Sequence, residues 1–192
     1  MYQKRNKELE ILKLYRGNYK KQLYLRQISK LSKLPLKTTQ NTLIYLEKIK
    51  IMKSRTEGKN KYFTLNLENI QTKLYMLQAE IYTTENFLEN FPQFKTFLKS
   101  ITINIPIILF GSFARFTADK NSDIDFLIIA EKEPFLPFHL LANKVHKINI
   151  SEKSFIKAIK EKENLIKEIE ETHIILNNYS FYINAMWENY GK

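Results

Sequence analysis

A Gly-Ser pair and an Asp-x-Asp pair, separated by ten residues, each adjoin a short apolar run of the chain. Residues 105–110 (IPIILF) end at Gly111 and Ser112, and residues 123–129 (DIDFLII) begin with Asp123 and Asp125. Continuous apolar runs of this length are typical of buried strands. Since side chains alternate along a strand, both aspartates are expected on one face. The stretch therefore predicts two strands, one delivering a glycine-serine turn and the other a pair of carboxylates.

Aspartate is confined to this stretch of the sequence. The chain has three aspartates, Asp119, Asp123 and Asp125, and its other 17 acidic residues are glutamates. Gly111 would let the backbone approach a phosphate closely, and Ser112 offers a hydroxyl and an amide donor. Short carboxylates suit Mg²⁺, which is usually held by one or two protein carboxylates together with substrate phosphates. The sequence therefore predicts a site for Mg²⁺ and a triphosphate, with Asp119 in a turn outside it.

The order strand, Gly-Ser, short helix, strand, Asp-x-Asp resembles the nucleotidyltransferase superfamily that includes DNA polymerase β, and especially its minimal members. The resemblance implies that Gly111 and Ser112 bind nucleotide phosphates, and that Asp123 and Asp125 are catalytic and hold the metal. It implies Mg²⁺, an NTP substrate with ATP expected first, and transfer of a nucleoside monophosphate to an acceptor hydroxyl. Because minimal relatives act as antitoxins that adenylylate a toxin, a protein acceptor such as a cognate toxin is also implied.

The sequence pattern does not decide the role of two residues that follow the Gly-Ser motif. Arg115 is a candidate nucleotide-binding residue, and the alternative is that it pairs with an acid of the fold. Phe116 stands where the family usually has glycine.

The family's third acid is missing from its expected place. The next strand is predicted over residues 145–150, where Lys147 and Asn149 occupy the alternating positions. Glu152 lies just past the strand as a substitute, and His146 is a candidate base. Loss of a general base costs on the order of 10²–10⁴-fold in rate. Nucleotide binding is therefore better supported than rapid turnover.

The N-terminal third of the chain is strongly basic. Residues 1–66 contain 17 Lys and Arg against 4 Glu, whereas residues 67–192 contain 14 basic and 16 acidic residues. Helices are predicted over about 5–16 and 23–32 and from residue 37 onward, followed by a hairpin over 51–65. This part resembles the winged helix-turn-helix domains of prokaryotic transcription regulators, which implies double-stranded DNA as a partner. The implied DNA contacts are Lys37, Thr38, Thr39, Gln40 and Asn41 from the third helix and Arg55, Lys59 and Lys61 from the wing.

Residues 67–91 are predicted to form one long helix that ends before Pro92. Its apolar stripe has the alternating steps of a coiled coil. The stripe comprises Ile70, Leu74, Leu77, Ile81, Thr84, Leu88 and Phe91. Two interpretations stay open, a homodimer through residues 70–91 or packing of the stripe on the chain's own domains.

The predicted fold class is α+β, with a winged helix-turn-helix domain over 1–66, a connecting helix over 67–91, and a mixed sheet with flanking helices over 92–192. The tail from residue 151 onward, including 174–176, is predicted to be helical. The chain has no cysteine and no apolar run of membrane-spanning length, so we expect a cytoplasmic protein without a membrane partner. The expected function is DNA binding coupled to nucleotidyl transfer. The alternative is a non-catalytic transcription regulator whose nucleotidyltransferase fold binds nucleotide or mediates assembly.

Overall fold

A computed structural model describes residues 5–191 of the chain. The described residues divide into two compact units, one formed by 5–79 with 190–191 and the other by 80–189. Within this range, no helix is both long enough and apolar enough to cross a membrane. Each unit is built around its own sheet and is considered separately below.

The first unit begins with three helices, α1 (Lys7–Leu12), α2 (Leu25–Ser32) and α3 (Leu36–Lys48). Asn6 caps α1, since its side chain accepts a hydrogen bond from the amide of Leu9. A left-handed Lys33 ends α2, and Pro35 lies immediately before α3. Leu9, Ile11 and Leu12 of α1 are buried, as is Tyr15 in the turn that follows it.

The same unit contains a three-stranded antiparallel sheet. It consists of β1 (Leu23–Tyr24), β2 (Met52–Glu57) and β3 (Asn60–Leu65), in the order β1-β3-β2. The hairpin β2–β3 turns through Gly58, whose φ of 58° is left-handed. The sequence predicted this hairpin but not β1, because two residues are too few for a periodic signal.

The second unit contains a four-stranded mixed sheet. Its strands are β4 (Ile107–Phe110), β5 (Ile124–Ile129), β6 (Val145–Ile150) and β7 (Ile174–Asn177), in the order β6-β5-β4-β7. Strands β5 and β6 are parallel, and β4 is antiparallel to both of its neighbours. The helices are α5 (Gln93–Lys99), α6 (Gly111–Ala114), α7 (Glu152–Glu161), α8 (Asn164–Glu171) and α9 (Tyr179–Tyr190). The α+β class and the mixed sheet are thereby confirmed.

The expectation of a wholly helical tail is wrong at β7. Residues Ile174–Asn177 form a buried strand that pairs with β4, and the Asn177 amide donates to the carbonyls of Ile103 and Ile105. A four-residue apolar run has no period that separates strand from buried helix. Pairing with β4, about 70 residues earlier in the chain, decides its conformation.

Helix α4 (Ile70–Asn90) carries the heptad stripe, and the two units divide within it, between Ala79 and Glu80. In its second half, Thr84 is buried and donates to the carbonyl of Ile175, while Leu88 packs against the sheet's core. In its first half, Ile70 is 64% exposed and Leu74 is 55% exposed. The C-terminal part of the stripe therefore belongs to the core of its own unit, whereas Ile70 and Leu74 of its first half face solvent.

A buried ionisable pair ties α4 to the connection between α8 and β7 within the second unit. The imidazole of His173 lies 3.2 Å from a carboxylate oxygen of Glu80 through Nε2 and 2.6 Å from the carbonyl of Ile169 through Nδ1. Both side chains are almost completely removed from solvent. Removing one partner of such a pair takes a polar contact away from the other inside the protein, where water cannot replace it.

Glu80→Ala should lower the free energy of unfolding by about 3–5 kcal/mol, because His173 would lose its carboxylate partner in the interior. The matched control is Glu161→Ala, which removes an exposed partner of Lys157 and should change stability by less than about 0.5 kcal/mol. Urea unfolding followed by the fluorescence of Trp187, in α9 of the same unit, measures both. Equal losses in the two variants would contradict this account.

Candidate functional site

The turn between β4 and α6 brings Gly111 against Asp125. Phe110 pairs with Asp125 across the antiparallel strands, and Gly111 then adopts a left-handed φ of 70°. A Cβ at Gly111 would collide with Oδ2 of Asp125 and would lie 3.2 Å from its Cγ. The missing side chain therefore leaves the space that the Asp125 carboxylate occupies. The structure therefore brings the glycine of the glycine-serine turn against one carboxylate of the Asp-x-Asp pair.

Two basic groups lie close to the carboxylates of Asp123 and Asp125. The imidazole of His146 is 3.8 Å from Asp123 Oδ2 through Nε2 and 3.7 Å from Asp125 Oδ1 through Nδ1. The ammonium of Lys144 is 3.6 Å from the same Asp123 oxygen. The acidic pair therefore faces two nitrogen groups of the segment that leads into and opens β6.

Burial raises the pKa of Asp125, since a partly desolvated carboxylate is harder to ionise. His146 opposes this rise in the pKa, while Glu168 and Asp123 add to it and Arg115 opposes it. The ionised form of Asp125 is therefore less stable, relative to the protonated form, than in a free aspartate. A further positive charge beside the carboxylate would stabilise the ionised form.

The register of β5 and β6 shows which residue of β6 lies beside Asp125, the place considered above for a third acid. Asp125 pairs with His146, whereas Lys147 pairs with Phe126 and Asn149 pairs with Ile128, on the opposite face. Lys147 instead forms an ion pair with Glu133, and the Asn149 amide donates to the carbonyl of Ala130. Glu152, at the start of α7, lines a groove between α7 and α9. None of the three therefore lies beside Asp125, and the residue that does is His146.

Arg115 and Phe116 follow α6. The guanidinium of Arg115 is 3.4 Å from a carboxylate oxygen of Glu168 on α8, so it is engaged by an acid of the fold. Phe116 has a left-handed φ of 59°, which costs a non-glycine residue about 1–2 kcal/mol. Its ring packs against Phe87 and Phe91 at centroid distances of 6.1 and 5.9 Å, contacts worth about 0.5–1.5 kcal/mol each. Aromatic packing thus offsets the cost of lacking the glycine expected there.

Within the first unit, α3 presents one polar face to solvent. Lys37, Gln40 and Asn41 are exposed, and Thr38 is partly exposed. The expectation that Thr39 contacts DNA is wrong, because Thr39 is fully buried and its hydroxyl donates to the carbonyl of Pro35. Ile44, an apolar residue on the same side of the helix, is 56% exposed.

The hairpin places its three predicted contact residues in solvent. Lys61 is paired with Glu47 of α3 at 2.9 Å, and Arg55 is paired with Glu57 at 2.6 Å. Lys59, in the turn, is exposed, and within residues 5–191 no carboxylate lies within ion-pair distance of it. The wing residues are therefore accessible, although two of the three already have acidic partners.

The donor set at Asp123 and Asp125 fits a divalent cation only in part. Both carboxylates face His146 on one side of the sheet, and Asp125 lies against Gly111, which is the oxygen-ligand chemistry that Mg²⁺ uses. Across residues 5–191, however, no group of three or more His, Cys, Asp or Glu side chains is already arranged to hold a metal. The site therefore suits one cation completed by substrate phosphates better than two cations held by the protein alone.

Residues 92–182 match the family model of the nucleotidyltransferase domain. The match covers α5, the four strands and the Gly-Ser and Asp-x-Asp motifs, and it ends within α9. This part of the chain is therefore similar to nucleotidyltransferase domains, a match that indicates nucleotidyl transfer as its chemistry. Domains of this family generally use an NTP and a divalent metal. No curated protein and no solved structure matches the chain significantly.

Gly111→Ala should open the β4–β5 region and displace Asp125, because the new Cβ meets its carboxylate. Gly58→Ala is the control, since its φ of 58° is similar but no atom lies within 4 Å of the added Cβ. Both replacements carry the left-handed cost of about 1–2 kcal/mol, and Gly111→Ala should cost clearly more. Hydrogen exchange over β4–β5 and over β2–β3 measures the local losses separately. Similar losses at both sites would show that the Asp125 contact is not a constraint.

Proposed function

We propose that this protein transfers a nucleoside monophosphate from an NTP, with ATP as the first candidate, to an acceptor hydroxyl. The observation that carries the proposal is the convergence of Gly111 with the Asp123–Asp125 pair in a domain that matches the nucleotidyltransferase family. Asp123 and Asp125 would hold Mg²⁺, which supplies charge neutralisation of the triphosphate and polarisation of the reacting phosphorus. A hydroxyl of a partner protein, such as a toxin, is the acceptor that we favour.

The remaining residues of the site have separate tasks in this proposal. Gly111 leaves room for a phosphate at the turn, and the partly exposed Ser112 offers it a hydroxyl and an amide. Arg115 would contact phosphate by exchanging its Glu168 partner, an exposed pair of low intrinsic strength. Positioning and charge complementarity dominate phosphoryl-transfer catalysis, so the absence of a third acid lowers the expected rate without removing the chemistry.

The first candidate is tested with ATP labelled at the α-phosphate. Asp123→Asn and Asp125→Asn should each lower label transfer by at least about 10²-fold, because each removes a charge from the phosphate-binding site. Asp119→Asn is the control, since Asp119 only caps a turn through the amide of Asn121 and the hydroxyl of Ser122. Gel separation and mass measurement, with partner proteins co-purified from the native cell, identify the acceptor. Transfer that survives both substitutions would end this proposal.

A second candidate is a regulator that binds nucleotide without turnover. It is favoured by the ammonium of Lys144 and the imidazole of His146, which lie beside Asp123. In that case, calorimetry would detect nucleotide binding that depends on Asp123 and Asp125, while no label would be transferred to any acceptor.

We further propose that residues 1–66 form a winged helix-turn-helix domain that binds double-stranded DNA. Three helices followed by a β-hairpin, with β1 completing the sheet, support this assignment. The exposed face of α3, with Lys37, Gln40 and Asn41, would face the major groove. Lys59 at the tip of the hairpin would contact the backbone, whereas buried Thr39 has no role in binding. The net charge of this segment suits a polyanion.

A two-fold DNA site would follow if two copies associate through the exposed first half of the stripe. Ile70, Leu74 and Ile81 are 64%, 55% and 39% exposed and retain coiled-coil spacing. We therefore narrow the proposed homodimer contact to residues 70–81. In this view, the second half of α4 serves the core of the nucleotidyltransferase domain.

DNA affinity should fall steeply with added salt, and Lys37→Ala and Lys59→Ala should each reduce the log–log slope by about 1. The control is Lys99→Ala, which removes an equally exposed positive charge from α5 in the other unit. Fluorescence anisotropy on a mixed-sequence duplex measures the slope. Slopes that are shallow, or that Lys99→Ala changes as much as Lys37→Ala, would contradict a DNA surface on α3 and the hairpin.

A further inference from the structure

His146 occupies a defined place beside the acidic pair. It pairs with Asp125 in the parallel register of β5 and β6. Neighbouring strands are about 4.8 Å apart, and paired residues direct their side chains to the same face. The position next to Asp125 is thus set by the backbone, and an imidazole fills it.

The distances around His146 are close to those of a common metal ligand set. Its nitrogens are 3.8 and 3.7 Å from oxygens of Asp123 and Asp125. Adjacent ligands of an octahedral ion with bonds near 2.1 Å are about 3 Å apart. Each ring nitrogen faces a different aspartate, so the ring has to turn until one nitrogen points between the two carboxylates, which would place all three side chains around a single cation. The His146 side chain is 58% exposed, so its ring can turn without disturbing the core.

The other groups near the acidic pair are poor ligands or are engaged elsewhere. The ammonium of Lys144 is a cation and competes with a metal. Glu168 acts on Asp125 electrostatically, but its carboxylate is paired with Arg115. Lys147 and Asn149 lie on the opposite face of the sheet. Within the part of the chain that the structure describes, His146 is the one additional ligand-type side chain in contact with both aspartates.

An imidazole changes which metal the site selects. Mg²⁺ prefers oxygen ligands, whereas a nitrogen ligand is better tolerated by first-row transition metals such as Mn²⁺. We propose that Asp123, Asp125 and His146 form a mixed oxygen–nitrogen site that holds one transition-metal dication, with Mn²⁺ preferred over Mg²⁺. This inference rests on the proposed function, since it concerns the metal that would serve the same site.

The test uses the full chain with Mn²⁺ or Mg²⁺ alone, without nucleotide. Pulsed electron paramagnetic resonance of bound Mn²⁺ should show coupling to a ¹⁴N nucleus that disappears in His146→Ala. His146→Ala should also lower the preference for Mn²⁺ over Mg²⁺ by about tenfold or more, since even residues that only orient ligands change metal affinity by about 10–100-fold. His146→Asp should shift the preference towards Mg²⁺ by restoring an oxygen ligand. The control is His139→Ala, at another exposed histidine outside this site.

Three outcomes overturn the inference: no Mn²⁺ binding, no ¹⁴N coupling, or a metal preference that His146→Ala leaves unchanged. These outcomes are separable from failure of the proposed function. Label transfer from ATP with an oxygen-only Mn²⁺ spectrum would retain the function and reject the His146 ligand. Bound Mn²⁺ with nitrogen coupling, but without any label transfer, would retain the His146 ligand and reject the proposed function.

Discussion

The close approach of the Asp125 carboxylate to the backbone at Gly111 is the contact on which the rest of the second unit depends. Strand β4 must pair with β5 so that Phe110 lies opposite Asp125, and the chain must then turn with a left-handed residue. A side chain at that point would occupy the volume of the carboxylate. One glycine therefore fixes the register of two strands, the start of α6 and the position of an acidic group together.

The core of this unit holds that register in place. Ile107 and Leu109 of β4 and Ile124, Phe126 and Ile128 of β5 lie in one buried cluster. Slipping either strand by one residue would turn these side chains away from the cluster and turn the aspartates into it. Burying an unpaired carboxylate is costly, so packing and electrostatics select the same arrangement. The two predicted strands and their shared face could therefore be read from the sequence, because local pattern and global fold agree there.

Other features of the structure could not be predicted from the sequence, for physical reasons that the structure makes clear. The strand β7 is four residues long and acquires its conformation from β4. His146 could be placed beside Asp125 only once the parallel register was known, because a shift of one residue would have presented Lys147 instead. Thr39 was expected on the exposed face of α3, but its hydroxyl satisfies the carbonyl of Pro35 in the first turn. In each case a partner distant in sequence, or the local phase of a helix, decides the outcome.

The heptad stripe of α4 illustrates how one pattern can serve two purposes. Thr84, Leu88 and Phe91 keep the spacing of a coiled coil, yet they contact the β-sheet core or its carbonyls. Ile70 and Leu74 have the same spacing and remain in solvent. The spacing of apolar residues shows that one side of a helix is apolar, but it does not show which part of the protein packs against that side. The two units divide within α4, between the exposed residues Ile70 and Leu74 and the residues that pack on the sheet.

The three positions around the proposed metal differ in how strongly the fold constrains them. Asp125 is held by Gly111 and by strand pairing, and Asp123 shares its face at the start of the same strand. The third position lies on β6, an end strand of the sheet whose side chain there is mostly exposed. Replacing the imidazole at such a place changes no buried contact, so the fold tolerates substitution there. The side chain at this position can therefore change what the acidic pair contacts while the strands that carry the pair stay the same.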